Sequence, residues 1–439
     1  MIKVCKFGGT SMADAKAFAQ VKSIINSDQD RRFIVVSAPG KRNKQDIKIT
    51  DTLYATYEEL INTGKIDKNF SLIKNRFIEL VDDLKLDLDI KSILEQTEKQ
   101  IIENKSRDFT ASRGEYFSAI CMAKYLGLEF IDAKDLIRFD SRGNLNQDYT
   151  DDKVRLKLEN VERAVIPGFY GKDYEGNIKT FSRGGSDITG SIIARGVKAD
   201  LYENWTDVSG FLVCDPRIVP EAKAIKQITY KELRELAYMG ASVLHPEAIF
   251  PVMKGKIVIN IKNTFKPEDP GTLIVPNEKY DLMQNESVVT GIAGKKDFTV
   301  IFIEKSMMNA EVGFIRKVLS VIEHYGICVE HLPSGVDTLS IVVASEELKD
   351  GVLADVVNEI RENVSPDYVH VIENISLIAT VGHGMNRRVG TAAKLFNALA
   401  ENNINLRMID QGSSELNIII GVENADYEKT ISTIYKAFN

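Results

Sequence analysis

Four short segments of this chain bring cations, carboxylates, hydroxyls and glycines together where an apolar run gives way to a helical pattern. In the first, Lys6-Phe-Gly-Gly-Thr-Ser11, two glycines let backbone N–H groups approach an anion closely, the helix start adds a positive dipole and the lysine supplies charge. That is a phosphate cradle. A strand–Gly-Gly–helix also serves as a plain tight turn, but its place at the carboxyl end of a strand favours a ligand. A second cradle, Ser37-Ala-Pro-Gly-Lys41, is followed by Thr50-Asp51, which reads equally as a capping pair opening a helix and as the lining of a pocket.

The third segment is Phe181-Ser-Arg-Gly-Gly-Ser-Asp187-Ile-Thr-Gly190. Arg183 offers a bidentate fork to a carboxylate, and Asp187, just inside the next helix, can hold a catalytic lysine or orient a magnesium–phosphate unit. The fourth runs from Glu203 through Asp215-Pro-Arg217, where Thr206, Asp207 and Arg217 are candidates for a nucleotide. A surface loop with a Pro-Arg turn would carry the same residues. Neither a GxxxxGK[ST] loop nor the His-Arg-Asp and Asp-Phe-Gly set of protein kinases is present. Phosphoryl transfer on this chain would use other apparatus.

The elements that must position these groups follow from the apolar pattern. Up to about residue 275, buried-strand runs at Val4 to Phe7, Phe33 to Ser37, Ala164 to Gly168 and Asp200 to Glu203 alternate with helical stretches. This predicts α/β architecture with an open, mostly parallel sheet sandwiched by helices. Residues 51 to 127 read as several helices, one of which carries Arg113, Gly114 and Glu115. A boundary is expected at Lys266-Pro-Glu-Asp-Pro-Gly-Thr and the polar stretch 276–286.

Beyond it, Met308-Asn-Ala-Glu-Val-Gly recurs as Met385-Asn-Arg-Arg-Val-Gly at an offset of 77 residues, each copy leading into an amphipathic helix and a strand. Two copies of one ferredoxin-like βαββαβ unit are predicted. The first copy offers strands at 298–303, 327–332, 338–344 and 368–373, the second only 375–381, 404–410 and 415–421. A missing strand would expose unpaired backbone, and 287–293 is the unclaimed run. The first small domain is therefore expected to be inserted in the second. The domains are 1–275, then 297–374, then 287–294 plus 375–439.

With 439 residues, the chain has room for about two to four domains. A net charge of −7 argues against a nucleic-acid partner, which requires clustered lysine and arginine. Cys5, Cys121, Cys214 and Cys328 form no CxxC pair, so neither a disulfide framework nor a zinc knuckle is expected. No signal-peptide pattern opens the sequence and no run reaches roughly 18 apolar residues, so a cytoplasmic protein without a membrane partner is expected.

In this order and spacing, Lys6-Phe-Gly-Gly-Thr-Ser, Ser112-Arg-Gly-Glu115, Arg183-Gly-Gly-Ser-Asp187, Thr206-Asp-Val through Asp215-Pro-Arg217 and Gly240-Ala-Ser-Val-Leu-His-Pro246 resemble the aspartate kinases of the amino-acid kinase family. The resemblance spans essentially the whole chain, and the repeat resembles that family's paired ACT domains. It implies transfer of the ATP γ-phosphate, with Mg2+, to the β-carboxylate of L-aspartate, the first step towards lysine, threonine and methionine. Lys6, Gly8, Gly9 and Asp187 would be catalytic. Glu115 would take the substrate ammonium and Arg183 its α-carboxylate, with Thr50 and Ser37 lining the pocket. Lys6, Gly8, Gly9, Thr206, Asp207, Leu212, Arg217 and Ser242 would hold the nucleotide, and no protein metal site is implied. Leu212 and Ser242 stand where some members carry an aromatic residue and a lysine.

The resemblance further implies an effector site for lysine, threonine or both, framed by Met308, Glu311, Gly313, Phe314, Glu330 and Ser334, and a homodimer or higher oligomer through the ACT domains. Because a carboxylate is already ionised at neutral pH, no general base is needed and direct in-line transfer is expected. The rival readings are a kinase for another acceptor, such as glutamate, acetylglutamate or uridylate, and an amino-acid sensor without catalysis.

Overall fold

A computed structural model describes the chain except for Arg183 and residues 242–245, 282–286, 386–387 and 413, and at 246–248 it describes the backbone alone. The residues group into two units. The first is Met1–Phe211, Ala224–Tyr230 and Ser242–Gln284; the second is Leu212–Lys223, Lys231–Ala241 and Asn285–Asn439.

The strands of the first unit are β1 (Lys3–Phe7), β2 (Arg31–Val36), β3 (Glu129–Phe130), β4 (Ala164–Pro167), β5 (Tyr170–Lys172), β6 (Ile178–Thr180), β7 (Leu201–Thr206), β8 (Gln227–Thr229), β9 (Val258–Asn263) and β10 (Thr272–Val275). Its helices are α1 (Ala15–Asn26), α2 (Ile49–Thr63), α3 (Asp67–Asp83), α4 (Ile90–Asn104), α5 (Arg107–Leu126), α6 (Gln147–Leu158) and α7 (Gly185–Gly196). Then α8 (Tyr230–Tyr238) starts here and continues in the second unit, while α9 (Pro246–Lys254) returns to the first.

Eight strands form one sheet in the order β3-β4-β2-β1-β7-β9-β10-β8. From β3 to β9 every pairing is parallel, and only β9 and β10 run antiparallel. Helices cover both faces of such a sheet, so β1, β2 and β4 are almost continuously buried. Phe7, Phe18, Phe70, Phe77, Phe117 and Trp205 belong to the core that packs α1 to α5 onto one face.

Parallel pairing has a functional consequence. Phe7 lies opposite Val36 and Trp205, and Val36 lies opposite Pro167. The loops after β1, β2, β4 and β7 therefore leave the sheet along one edge, where α/β proteins bind ligands.

The second unit contains β11 (Gly291–Glu304), α10 (Phe314–His324), β12 (Thr338–Ala344), α11 (Val352–Val364), β13 (Tyr368–Val381), α12 (Thr391–Glu401), β14 (Met408–Asp410), β15 (Asn417–Glu423) and α13 (Tyr427–Phe438). Its strands make one antiparallel sheet, β12-β11-β13-β15-β14, so both repeat copies share a single sheet. The long strands β11 and β13 each serve both copies. Gly291 to Lys295 pair with Leu377 to Val381, and Val300 to Glu304 pair with Tyr368 to Ile372. Between these stretches the register shifts, with Asp297 and Asn374 in the left-handed region (φ 68° and 61°) that a bulge requires.

Three expected strands differ. Of the run 287–293, strand begins only at Gly291, as the start of β11. Residues 327–332 form no strand: only isolated bridges from His331 to Val342 and from Ser334 to Leu339 tie the segment to β12. Pro333 lacks the N–H a continuous ladder needs. The run 404–410 shortens to β14. Cys5, Cys121 and Cys214 are buried free thiols, and Cys328 is exposed. Among the described residues, no helix is long and apolar enough to cross a membrane.

Candidate active site

Along the carboxyl edge of the first sheet lies a cleft of about 730 Å³, lined by residues from the loops after β1, β2 and β4, from α5 and from the start of α7; among the described residues the loop after β7 contributes none. From the sequence candidates it brings together Lys6, Gly9, Ser37, Thr50, Glu115 and Asp187.

Lys6 projects from the end of β1, and its Nζ sits 2.6 Å from Asp187 Oδ1 in the first turn of α7. Both are largely buried, which raises the strength of the pair over an exposed one. The two glycines divide the work unequally. Gly8 N–H donates to the Trp205 carbonyl at 3.0 Å, so this amide is spent on joining β1 to β7 and is not a free phosphate donor as expected. Gly9 accepts from Gly40 N–H at 2.8 Å, locking the first loop to the second. A methyl on Gly40 would come within 2.7 Å of the Gly9 backbone, so this contact requires glycine.

The second loop is held from below by Arg76. Its guanidinium donates to Asp46 Oδ2 at 2.7 Å and to the Ala13 and Gly40 carbonyls at 2.6 and 3.0 Å. Burial works to raise the Asp46 pKa, but hydrogen bonds from Arg42 and Arg76 hold it well below the usual carboxylate range. The loop thereby presents Lys41, Lys44 and Lys48 to the cleft, and none of them has an ion-pair partner among the described residues. Thr50 also lines it, but not as a cap: α2 starts one residue earlier, after Lys48, without a side-chain cap.

Glu115 comes from the middle of α5, whose start is capped by Ser106 Oγ accepting from Phe109 N–H at 3.2 Å. Gly114 lets the helix lie against the second loop, because a methyl there would meet Ala38 Cβ at 2.7 Å. Glu115 is only 5% exposed, and its Oε2 has no hydrogen-bond partner. Burial pushes its pKa up to about 8, with the Ala38 and Glu115 amides and the Arg113 charge partly offsetting this. Arg113 itself is enclosed by Phe109, Tyr116 and Tyr170 rings at 4.4, 4.4 and 5.4 Å. An unpartnered buried carboxyl beside a cleft suits a cationic ligand.

Arg183 and Ser242 lie outside the described residues, although Gly184, Gly185 and Ser186 next to Arg183 line the cleft. Thr206 ends β7 and Asp207 follows it, and Asp207 accepts from Thr10 Oγ1 at 3.3 Å and Thr206 Oγ1 at 3.2 Å. Leu212 and Arg217 belong to the second unit, where Arg217 is exposed and paired with Asp215 at 2.6 Å. Among the described residues no three His, Cys, Asp or Glu side chains converge as metal ligands. Of Asp187 and Asp207, Asp187 alone lines the cleft, and it is of the type that takes a Mg2+ ion carried in on a polyphosphate.

Sequence reasoning missed Lys44, Lys48 and Phe169 in the cleft wall. Phe169 has φ 80°, a strained conformation for a large side chain, and follows a strand end, where such strain concentrates at sites. It also missed Asn204, whose Nδ2 donates to Asp187 Oδ1 at 2.7 Å. An amide inside a buried strand was the available signal.

In the second unit the proposed effector residues are already engaged. Met308 and Phe314 are buried in its core and offer no side chain to a ligand. Gly313, at φ 83°, is the N-cap immediately before α10. Glu311 pairs with Lys317 at 2.8 Å and Lys305 at 3.3 Å, and Lys317 first of all lowers its pKa. Glu330 accepts the Tyr238 hydroxyl, and Ser334 bridges to Leu339.

Comparison with known proteins agrees with this architecture. Residues 1–263 match the Amino acid kinase family and residues 378–438 match an ACT domain. The chain is 36% identical to Aspartokinase 3 of Bacillus subtilis, over 100% of its own length and 98% of that protein. It is similar to the crystal structure of Clostridium acetobutylicum aspartate kinase at 53% identity and a TM-score of 0.92, with 100% of both chains covered. Escherichia coli aspartokinase III in complex with lysine and aspartate is 25% identical with a TM-score of 0.74, covering 99% of each chain.

Proposed function

This chain belongs to the amino acid kinase family, and within it to the aspartate kinases with C-terminal ACT domains, and from that premise we propose how its residues divide the reaction. ATP donates its γ-phosphate to the β-carboxylate of L-aspartate. The observation that carries the reading is the single cleft lined by Lys6, Asp187, Ser37, Thr50 and Glu115.

Glu115, with its unpartnered Oε2, takes the ammonium group, and Arg183 takes the α-carboxylate. Ser37 and Thr50 supply hydroxyls to the substrate. Fixing both ends of the amino acid directs its β-carboxylate at the γ-phosphorus. One carboxylate oxygen forms the new P–O bond as the bond to the β,γ-bridging oxygen breaks. ADP leaves with that electron pair, and the product is an acyl phosphate; no proton moves.

Lys6 neutralises charge on the equatorial oxygens in transit, and Asp187 holds Lys6 in place. Gly9, Thr206 and Asp207 serve the nucleotide, with Ser242 as a further nucleotide contact. A Mg2+ ion carried in on the nucleotide would supply charge neutralisation to the phosphates, with Asp187 placed to hold it. A hydroxamate assay with aspartate, glutamate and acetylglutamate as competing acceptors tests the acceptor: aspartate is expected to dominate, and equal use of acetylglutamate would overturn the reading. Trapping a phosphorylated protein on the pathway would overturn in-line transfer.

For regulation, the pairing of Gly291 to Lys295 with Leu377 to Val381 supports a first ACT domain, 297–374, inserted into a second made of 287–294 and 375–439. The E. coli relative holding lysine makes lysine the first effector to test, with threonine as the alternative. An effector ammonium would take Glu330 or Glu311 from its present partner. The enzyme acts in the cytoplasm at the entry to lysine, threonine and methionine synthesis and is a homodimer or larger. Aspartate-dependent ADP release titrated with each amino acid, beside sedimentation of the protein, checks these points.

A further inference from the structure

The α7-facing side of β7 grips Asp187 at two points. Tyr202 O–H donates to the Asp187 carbonyl at 3.2 Å, and Asn204 Nδ2 donates to its carboxylate at 2.7 Å. Both belong to one face because side chains two residues apart in a strand point the same way. Asn204 also lies directly opposite Lys6 in the β1–β7 ladder and is 3% exposed.

The oxygen that Asn204 reaches is Oδ1, the same atom that holds Lys6 Nζ at 2.6 Å. Two donors on one oxygen have two effects. They define the rotation of the carboxylate, and they share its lone pairs, so that Lys6 does not monopolise the acid. A lysine tied too tightly to its partner would be held back from phosphate oxygens.

We propose that Asn204 is a positioning residue for the phosphoryl transfer, setting through Asp187 where Lys6 stands and how readily it turns to the moving phosphoryl group. The inference rests on the catalytic roles given above to Lys6 and Asp187. Asn204 lines no part of the cleft, so its influence falls on turnover and not on substrate affinity.

Three variants test it in the full-length enzyme. Asn204→Leu keeps the volume and removes the donor; kcat is expected to fall about 10-fold or more, with KM for aspartate and ATP within about twofold of wild type. In Asn204→Asp the new carboxyl lies next to Asp187, so the two share a proton. Protonated, it donates as the amide does; ionised, it competes for Lys6. Activity of this variant relative to wild type is expected to be highest at acid pH and to fall as pH rises. An Asn204→Leu enzyme with wild-type kcat, or an Asn204→Asp enzyme with an unaltered pH profile, would overturn the proposal. Should Asn204→Leu not fold, the Asn204→Asp profile decides alone. Lys6→Met separates the two readings: if it stays active the catalytic assignment fails, whereas an inactive Lys6→Met beside an unaffected Asn204→Leu refutes only the positioning role.

Discussion

In the cleft of the first unit Glu115 is buried with an oxygen that has no protein partner, whereas at the α10 loop of the second unit Glu311 is held by two lysines and Glu330 by Tyr238. The first arrangement is prepared for a ligand before it arrives: unmet polar valence inside a packed frame is relieved only by binding. The second is self-satisfied, and a ligand must displace an internal partner, which lowers its apparent affinity and couples occupancy to rearrangement. The repeat sharpens the contrast. At the 77-residue offset Glu311 becomes Arg388 and Glu330 becomes Arg407, so at these two positions only the first copy carries a carboxylate.

The comparison can be broken at several places, starting with the largest effect. Lys6→Met should lower kcat by about 10³-fold, since a preorganised charge is lost from the cleft, and should also lower the melting temperature, because Asp187 loses its partner in a largely buried site; steady-state kinetics beside calorimetry would show both. Glu115→Gln should raise KM for aspartate by about 10- to 100-fold and leave KM for ATP nearly unchanged.

The pH dependence follows from the same residue. Glu115 must be ionised to hold an ammonium, so in the wild type KM for aspartate should fall as pH rises towards about 8 and flatten above it, and Glu115→Gln should lose this slope. The sign for stability is opposite. The folded state binds the Glu115 proton more tightly than the unfolded chain does, so between the ordinary carboxyl value of 4.5 and about 8 the free protein loses stability as pH rises. Melting temperature measured across that window, with and without aspartate, should show the loss and its relief by substrate.

Gly40→Ala should come next, lowering kcat/KM by forcing apart the two loops that meet at Gly9, which activity with either substrate saturating would locate. The smallest effect is expected in the second unit. Tyr238→Phe removes the internal competitor for Glu330, and the effector concentration for half-inhibition should fall by about fivefold with basal turnover unchanged. An unchanged midpoint would break the contrast between the two regions.

Much of the cleft was legible because local pattern carried it. Lys6, Ser37, Asp187 and Glu115 stand at strand ends or beside glycines, and parallel strands deliver such positions to one edge. Where the outcome turned on a distant partner, the pattern was silent. Gly8 looked like a donor until β7 claimed its amide. Thr50 looked like a cap, but the helix had already started. Met308 and Phe314 bound the turn expected to frame an effector site, and sheet packing takes both side chains into the core. The strand expected at 327–332 ignored what Pro333 does to a ladder.

Sequence alone therefore settled the alternation of strands and helices and the glycine turns, because each depends on residues within a few positions of one another. Tertiary structure decided which of those groups remain unpaired: the proton affinity of Glu115, the second donor on Asp187 and the engagement of Glu330 all depend on burial and on partners far along the chain. Desolvation and hydrogen-bond competition are properties of the packed neighbourhood, and no stretch of sequence contains them by itself.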